Sequence, residues 1–434
     1  MLLYSLALTL ALLLASPWWL LRMATTQRYR EGLAQRLGRV PAALRAHIAG
    51  KRVLWLHAVS VGETLAAQRL VSDLEAALGV GWCVVISTTT RTGYALACER
   101  FGADRVFYMP LDFAFSTRAY LRALQPAAVV LMESELWPRL LHEGQRRNIP
   151  RLVVNARVSD RSFRRALKVR ALWKHVLAKV SLFLAQSEED TSRLTQLGAP
   201  DVQTLGNLKF DIRTPKLSPL LDRIRAEATG RPIIVAGSLV EDRDASRMED
   251  ELVIAAWAAN IATRHQALLI LAPRHPQNFK RAEAFAAPFR YLRASDWARD
   301  PAPQYSLTSD GPLEILILDT IGDLASIYSL ATMAFVGGSL VPRGGHNPLE
   351  PAHFGVPITM GNSFENFRTI MAHLVAANAI QLVNNENELE QAWLRLLDDP
   401  ASAQAMGQRA RAVFNEESGA TARTVAAILH QVQP

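Results

Sequence analysis

Cysteine is nearly absent. Cys83 and Cys98 are the only two in 434 residues, and they form no C-x-x-C pair. That excludes a disulfide framework and argues against structural zinc. Cys83 lies in an apolar, strand-like run and reads as core, so a reducing compartment fits. Short internal repeats and low-complexity segments are missing too. With 50% hydrophobic and 20% charged residues, the composition excludes a disordered chain. A phosphate loop is also lacking. Ser87-Thr88-Thr89-Thr90-Arg91-Thr92-Gly93 offers hydroxyls and an arginine to an anion, but no Gly-Lys-Ser/Thr ending follows, which excludes loop-type nucleotide hydrolysis. Finally, no basic residue precedes the first apolar run, so a cleaved signal peptide lacks its usual start.

What is present points elsewhere. The length predicts two domains, with three possible. A formal charge of +8 calls for a negatively charged partner: nucleic acid, an anionic membrane surface or a phosphorylated substrate. Residues 2–21 carry no charge, and roughly 20 apolar residues suffice for a membrane-crossing helix. Trp18 and Trp19 close that run, where indole rings favour the interface, and Arg22, Arg28, Arg30, Arg36, Arg39 and Arg45 follow. The positive-inside rule then predicts an uncleaved anchor with the body in the cytoplasm and the N-terminus outside.

From Arg52 onward, short apolar runs alternate with helical stretches. Val53–His57, Trp82–Ile86, Ala127–Met132 and Arg151–Val154 read as buried strands ending in polar residues. The rhythm restarts after Pro232 with Ile233–Ala236, Ala267–Leu271, Ile315–Leu318 and Met333–Val336. Continuous apolar runs separated by helices predict parallel sheets covered on both faces, with ligands beyond the carboxyl ends of the strands. Lys209–Arg231, with Pro215 and Pro219, reads as the linker between two doubly wound halves.

The polar loops at those strand ends carry the candidate chemistry. Gly337-Gly338 and Gly344-Gly345-His346-Asn347-Pro348-Leu349-Glu350 let the backbone approach a ligand, and Pro348 suits a helix start whose amides attract an anion. An ordinary capped loop explains them equally well. Asp319-Thr320-Ile321-Gly322-Asp323 and Pro273-Arg274-His275-Pro276 also end strands, and Arg274 can meet a phosphate bidentately. Three such loops in one half point to a nucleotide site. In the first half, Glu63 follows a glycine turn at a strand end, where a carboxylate can act as a general base or simply as a favourable first-turn acid. Glu133 and Glu135 flank Ser134 at another strand end. Between Asp160 and Lys179 lie Arg161, Arg164, Arg165, Lys168, Arg170 and Lys174, a basic face that is either merely solvated or drawn to anionic headgroups.

Six ordered blocks carry a resemblance. They are His57–Glu63, Glu133–Pro138, Asn155-Ala156-Arg157, Gly206–Asp211, Pro273–Pro276 and Gly344–Ala352. Together they resemble the 3-deoxy-D-manno-octulosonic acid (Kdo) transferases of lipopolysaccharide synthesis, from the N-terminal anchor to about Arg423. The resemblance implies a GT-B glycosyltransferase, with two Rossmann-like doubly wound domains facing a cleft, plus one N-terminal transmembrane helix. Residues 1–22 would be the anchor, 23–220 the acceptor domain and 221–434 the CMP-sugar domain, whose last helix can pack back on the first. It implies transfer of Kdo from CMP-Kdo to lipid IVA, with inversion, at the cytoplasmic face of the inner membrane. No metal or cofactor is implied, and the partners are CMP-Kdo, lipid IVA and anionic lipids rather than nucleic acid. Position by position, Glu63 matches the base, and Glu133 and Lys209 match residues that stabilise the transition state. Pro273, Arg274, Ile321, Gly322, Asp323, Asn347, Pro348, Leu349 and Glu350 match the CMP-binding segments.

Two departures stand out. After Gly237-Ser238 the family shows Thr-His and then Gly-Glu-Glu, whereas this chain reads Leu239-Val240-Glu241-Asp242-Arg243-Asp244. Asp323 stands where Glu is more usual. Competing readings are a GT-B enzyme using a UDP-sugar and a non-catalytic membrane-bound binder. The number of Kdo units transferred is not legible.

Overall fold

A computed structural model describes residues 4–6, 8–10, 13–16, 31–211, 217–242, 248–299 and 311–432. The chain divides into two compact units, Met1–Asp211 with Gly419–Pro434, and Ile212–Ser418.

The first unit is built on seven parallel strands: β1 (Arg52–His57), β2 (Trp82–Thr88), β3 (Val106–Tyr108), β4 (Ala128–Met132), β5 (Arg151–Ala156), β6 (Leu182–Ala185) and β7 (Val202–Thr204), in the order β3-β2-β1-β4-β5-β6-β7. The second holds β8 (Ile233–Leu239), β9 (Leu268–Pro273), β10 (Tyr291–Arg293), β11 (Ile315–Ile317), β12 (Met333–Val336), β13 (Ile358–Gly361) and β14 (Ile380–Val383), in the order β10-β11-β9-β8-β12-β13-β14. Its neighbours also pair in parallel. Each sheet is covered on both faces, and this explains why the central strands are apolar throughout. In the first sheet, Val53, Trp55, Val85 and Val129 feed one core and Leu54, Leu56, Val84 and Val130 the other.

The helices needed below are α1 (Val61–Leu78), α2 (Asp160–Leu167), α3 (Arg170–Leu177), α4 (Glu249–Ala256), α5 (Leu324–Ile327), α6 (Leu349–Ala352) and α7 (Ala420–Val432). The chain's last helix, α7, lies in the first unit against α1, with Ala420, Val425, Ile428 and Val432 buried in that unit's core. Asp211 caps it, accepting from Gly419 N at 2.8 Å and Thr421 N at 2.6 Å. The first sheet reverses its order between β1 and β4, the second between β8 and β12. In doubly wound sheets those switch points open the ligand crevice.

The expected anchor falls largely outside the described residues. Among those described, no helix is long and apolar enough to cross a membrane. Tyr4 Oη donates to Asp112 Oδ2 at 2.9 Å, and Arg139 Nη2 donates to Ser5 Oγ. Both contacts hold the start of the chain against the body. Pro215, within the expected linker, and Arg243-Asp244 of the departing loop also lie outside the described residues.

Candidate functional site

In the first unit the candidate residues gather at the switch point. β1 ends at His57, which is fully buried, with Nδ1 2.9 Å from Ser87 Oγ on β2. Burial pulls its pKa down to about 4, so it is a neutral scaffold residue. The chain then turns through Val59 and enters α1, whose N-cap is Ser60. Glu63 lies in the first turn, 8% exposed. Its Oε2 accepts from Val59 N at 2.8 Å and its Oε1 from Ser60 Oγ at 3.1 Å. Ser60-Val61-Gly62-Glu63 therefore has the sequence of a capping box, and Glu63 is both a cap and a candidate base. Burial raises its pKa above the usual carboxylate value. The hydrogen bond from Val59 opposes that rise, and the negative charges of Glu133 and Glu135 add to it.

Glu133 follows β4 in a left-handed conformation, φ 55°, that is rare for a residue other than glycine. Its N donates to Val154 O at 2.8 Å, and its Oε1 accepts from Lys209 Nζ at 2.7 Å. Lys209 is delivered from a distant turn, Leu208–Phe210, by Asn155 at the end of β5. Asn155 also has φ 55°, and its Oδ1 accepts from Leu208 N at 3.0 Å. Glu63, Glu133, Glu135 and Lys209 thus form one charged group at the carboxyl end of the sheet.

In the second unit, Pro273 ends β9 and Arg274 N donates to Leu239 O of β8 at 2.9 Å. Five groups come together here: Arg274, His275, Arg343, His346 and Glu350. Burial and the charges of Arg274, His275 and Arg343 depress His346 to about 4. Burial raises Glu350, and Arg274 pulls it back. Cations clustered around a neutral imidazole suit a phosphate. Gly337 and Gly338 are required sterically: a Cβ on the first would lie 2.5 Å from Ser238 O, and on the second, with φ 71°, 2.9 Å from His346 Cδ2.

The helix-end expectation needs correction. α6 is a single four-residue turn, its Leu349 N is taken by Asn347 Oδ1 at 3.1 Å, and Pro348 has no N–H to offer. Leu349 is wholly buried, so this segment shapes the site, and the side-chain cations supply its charge. Gly322, with φ 99°, turns the chain after β11, Ile321 is exposed, and Asp323 is the N-cap residue of α5 without a side-chain capping bond. Asp319 is occupied by Ser295, accepting from its N at 2.8 Å and its Oγ at 2.5 Å. The basic stretch is two helices, α2 and α3. Lys179, counted at its end, is buried and donates to His175 O, whereas Leu167, Val169 and Leu172 are exposed among the arginines.

Glu249 went unnoticed in the sequence. It opens α4, is fully buried, and accepts four backbone N–H groups: Val240 at 3.1 Å, Gly338 at 2.6 Å, Ser339 at 2.8 Å and Leu340 at 2.9 Å. Acids at 249–251 beside the departing loop were the available signal. Among the described residues, no cluster of three or more His, Cys, Asp or Glu could hold a metal ion.

Residues 31–212 match the family described as 3-deoxy-D-manno-octulosonic-acid transferase (kdotransferase). A 3-deoxy-D-manno-octulosonic acid transferase of Bordetella pertussis is 36% identical over 401 residues, covering 91% of this chain and 90% of that one. One of Haemophilus influenzae is 34% identical over 408 residues, with the same 91% and 90% coverage. A glycosyltransferase structure from Rickettsia africae superposes with a TM-score of 0.52 at 11% identity, over 88% of this chain and 99% of that one, which shows the fold.

Proposed function

Because this chain belongs to the 3-deoxy-D-manno-octulosonic acid transferase family, we propose that it moves Kdo from CMP-Kdo to lipid IVA with inversion, at the inner membrane. It is a glycosyltransferase by family; donor, acceptor and stereochemistry are the proposal. The observation that carries it is the Glu63 carboxylate, nearly buried at the switch point beside the Lys209–Glu133 pair.

In this reading, the acceptor hydroxyl gives its proton to Glu63 as its oxygen attacks the anomeric carbon. The bond from that carbon to the phosphate oxygen of CMP breaks, and the electron pair leaves with CMP. Arg274 and Arg343 meet the charge growing on the phosphate, and Lys209 stabilises the reacting sugar. Attack opposite the leaving group inverts the centre. The cation cluster around His346 supports CMP on the second unit, and Asn347 and Glu350 would meet its nucleoside. Transfer without a metal belongs to the same reading, and turnover undiminished in EDTA is its test.

The decisive experiment incubates the purified full chain with CMP-Kdo and lipid IVA, and follows product by mass spectrometry and anomeric configuration by NMR. One or more added Kdo units with inverted linkage is expected. Turnover of UDP-sugars in place of CMP-Kdo, or retention, would sink it. Mass spectrometry also counts the units added.

The proposal anchors residues 2–21 in the membrane and has anionic headgroups attract the basic face of α2 and α3. The Tyr4–Asp112 hydrogen bond favours a second arrangement, in which the apolar segment lies in the membrane surface. Labelling a cysteine placed at position 2 from each side of inverted vesicles separates crossing from lying.

A further inference from the structure

We infer that Glu249 is a positioning residue for donor binding: its carboxylate clamps the loop after β8 to the glycine loop after β12 and so shapes the phosphate-binding end of the second unit. The inference rests on the reading of that end as the CMP site.

The geometry carries it. Oε2 of Glu249 bridges Val240 N and Gly338 N, and Oε1 takes Ser339 N and Leu340 N. One side chain thus holds both strands of the switch point. The clamp extends on either side. Leu239 O accepts Arg274 N, and Gly338 O accepts Gly345 N at 2.7 Å, so the backbones before Arg274 and before His346 are referred to the same carboxylate. Ser339 continues the chain of contacts, its Oγ accepting from Gly361 N at 2.9 Å. Without the clamp, four buried N–H groups lose their partner at once, and the backbone carrying His346 loses its fixed distance from Arg274.

Four donors and no acceptor are the surroundings of an anion. The next residue is its opposite. Both carboxylate oxygens of Asp250 are buried and accept nothing from another described residue. Burial pushes Asp250 up to about 7; Arg281, itself paired with Glu241, pulls against that rise, and Glu249 adds to it. Burial raises both acids of this helix turn, but four backbone N–H groups oppose the rise at Glu249, whereas the Asp250 oxygens accept nothing from another described residue.

The test uses CMP as the probe and the full chain. In Glu249→Gln, an amide N–H₂ faces N–H donors. We expect the CMP dissociation constant by calorimetry to rise about tenfold or more, and the KM for CMP-Kdo to rise with it. The turnover at saturating donor should stay within about threefold. Amides 338–340 should exchange faster. Asp250→Asn, on the same turn, should leave CMP affinity unchanged. A folded Glu249→Gln protein that binds CMP within about twofold of wild type overturns the inference, as does an equal loss in Asp250→Asn, which would mean general loosening of α4. If Glu249→Gln does not fold, Glu249→Asp keeps the charge one methylene short; wild-type CMP affinity in that variant overturns the inference, and a smaller loss in the same direction supports it. If wild type itself fails to bind CMP, the donor reading fails, and faster exchange at 338–340 in the variant still establishes the clamp.

Discussion

Glu63 is a cap in this structure and the proposed base of the transfer, and substitution separates the two roles. As a cap it accepts Val59 N and Ser60 Oγ. Losing a cap of this kind costs about 1 kcal/mol, or ~2–4 °C in the melting midpoint of a unit this size. As the proposed base it would remove the acceptor proton, and losing that step would cost about 100- to 10,000-fold in kcat, or ~3–5 kcal/mol. Glu63→Gln keeps the cap, because its carbonyl still accepts from Val59 N and its amide donates to the Ser60 hydroxyl. Glu63→Ala loses both. The expected pattern is a Gln variant that melts with wild type and an Ala variant that melts a few degrees lower. Both should fall in kcat by the full factor, and both should bind CMP within a few-fold of wild type, because CMP is assigned to the other unit. Continuous release of CMP is the assay, with calorimetry for affinity. A Gln variant whose kcat stays within about fivefold of wild type would refute the base assignment and leave Glu63 a capping acid.

The charges around Glu63 predict a pH effect. Burial and the two neighbouring carboxylates raise its folded pKa, so the base is lost as pH falls and the acid limb of kcat/KM lies above 4.5; Glu135→Gln should move that limb to lower pH, and a limb that stays or moves up contradicts the assignment. Asn155→Ala removes the acceptor for Leu208 N and should lower kcat without altering CMP affinity, whereas Asn155→Asp keeps the acceptor and most of the rate. Asp211→Ala uncaps α7, and the loss of two short bonds at a buried carboxylate predicts about 1–3 kcal/mol and faster hydrogen exchange across 420–432, with CMP binding intact. Reversing Arg164, Arg165 and Lys168 to Glu should weaken sedimentation with anionic vesicles by ~1 kcal/mol per charge removed and leave neutral vesicles unaffected; equal binding to anionic vesicles would make that face merely solvated.

The strands that could be read from the sequence are the central four of each sheet, β2, β1, β4 and β5, then β11, β9, β8 and β12. Those strands are buried on both faces, so their apolar runs are unbroken. β3, β6, β7, β10, β13 and β14 flank them and escaped notice. They are three or four residues long, and β7 is nowhere fully buried. The candidate site was legible for a related reason. Loops at the ends of central strands carry the charged residues, and those strands were visible. Glu249 was not, because its role depends on four backbone groups that come together only when β8 and β12 are adjacent.

Backbone strain marks the same places and leaves no trace in composition. Glu133, Asn155 and Ser238 take positive φ at the ends of β4, β5 and β8, where glycine would be the relaxed choice. Glycine would free the backbone but remove the carboxylate that Lys209 meets and the amide oxygen that holds Leu208. Each strained residue is held by neighbours: Glu133 N by Val154 O, Asn155 O by Gln186 Nε2, and Ser238 by the close approach of Gly337. Strain of this kind costs about 1–3 kcal/mol per residue and persists only where surrounding contacts over-determine it. At β12 the chain follows the opposite course. There, glycine fills the crowded positions and a buried carboxylate from another helix supplies the order that glycine cannot. The first unit's switch point therefore carries its candidate side chains, Glu133 and Asn155, on strained residues, while the glycine loop after β12 takes its rigidity from Glu249.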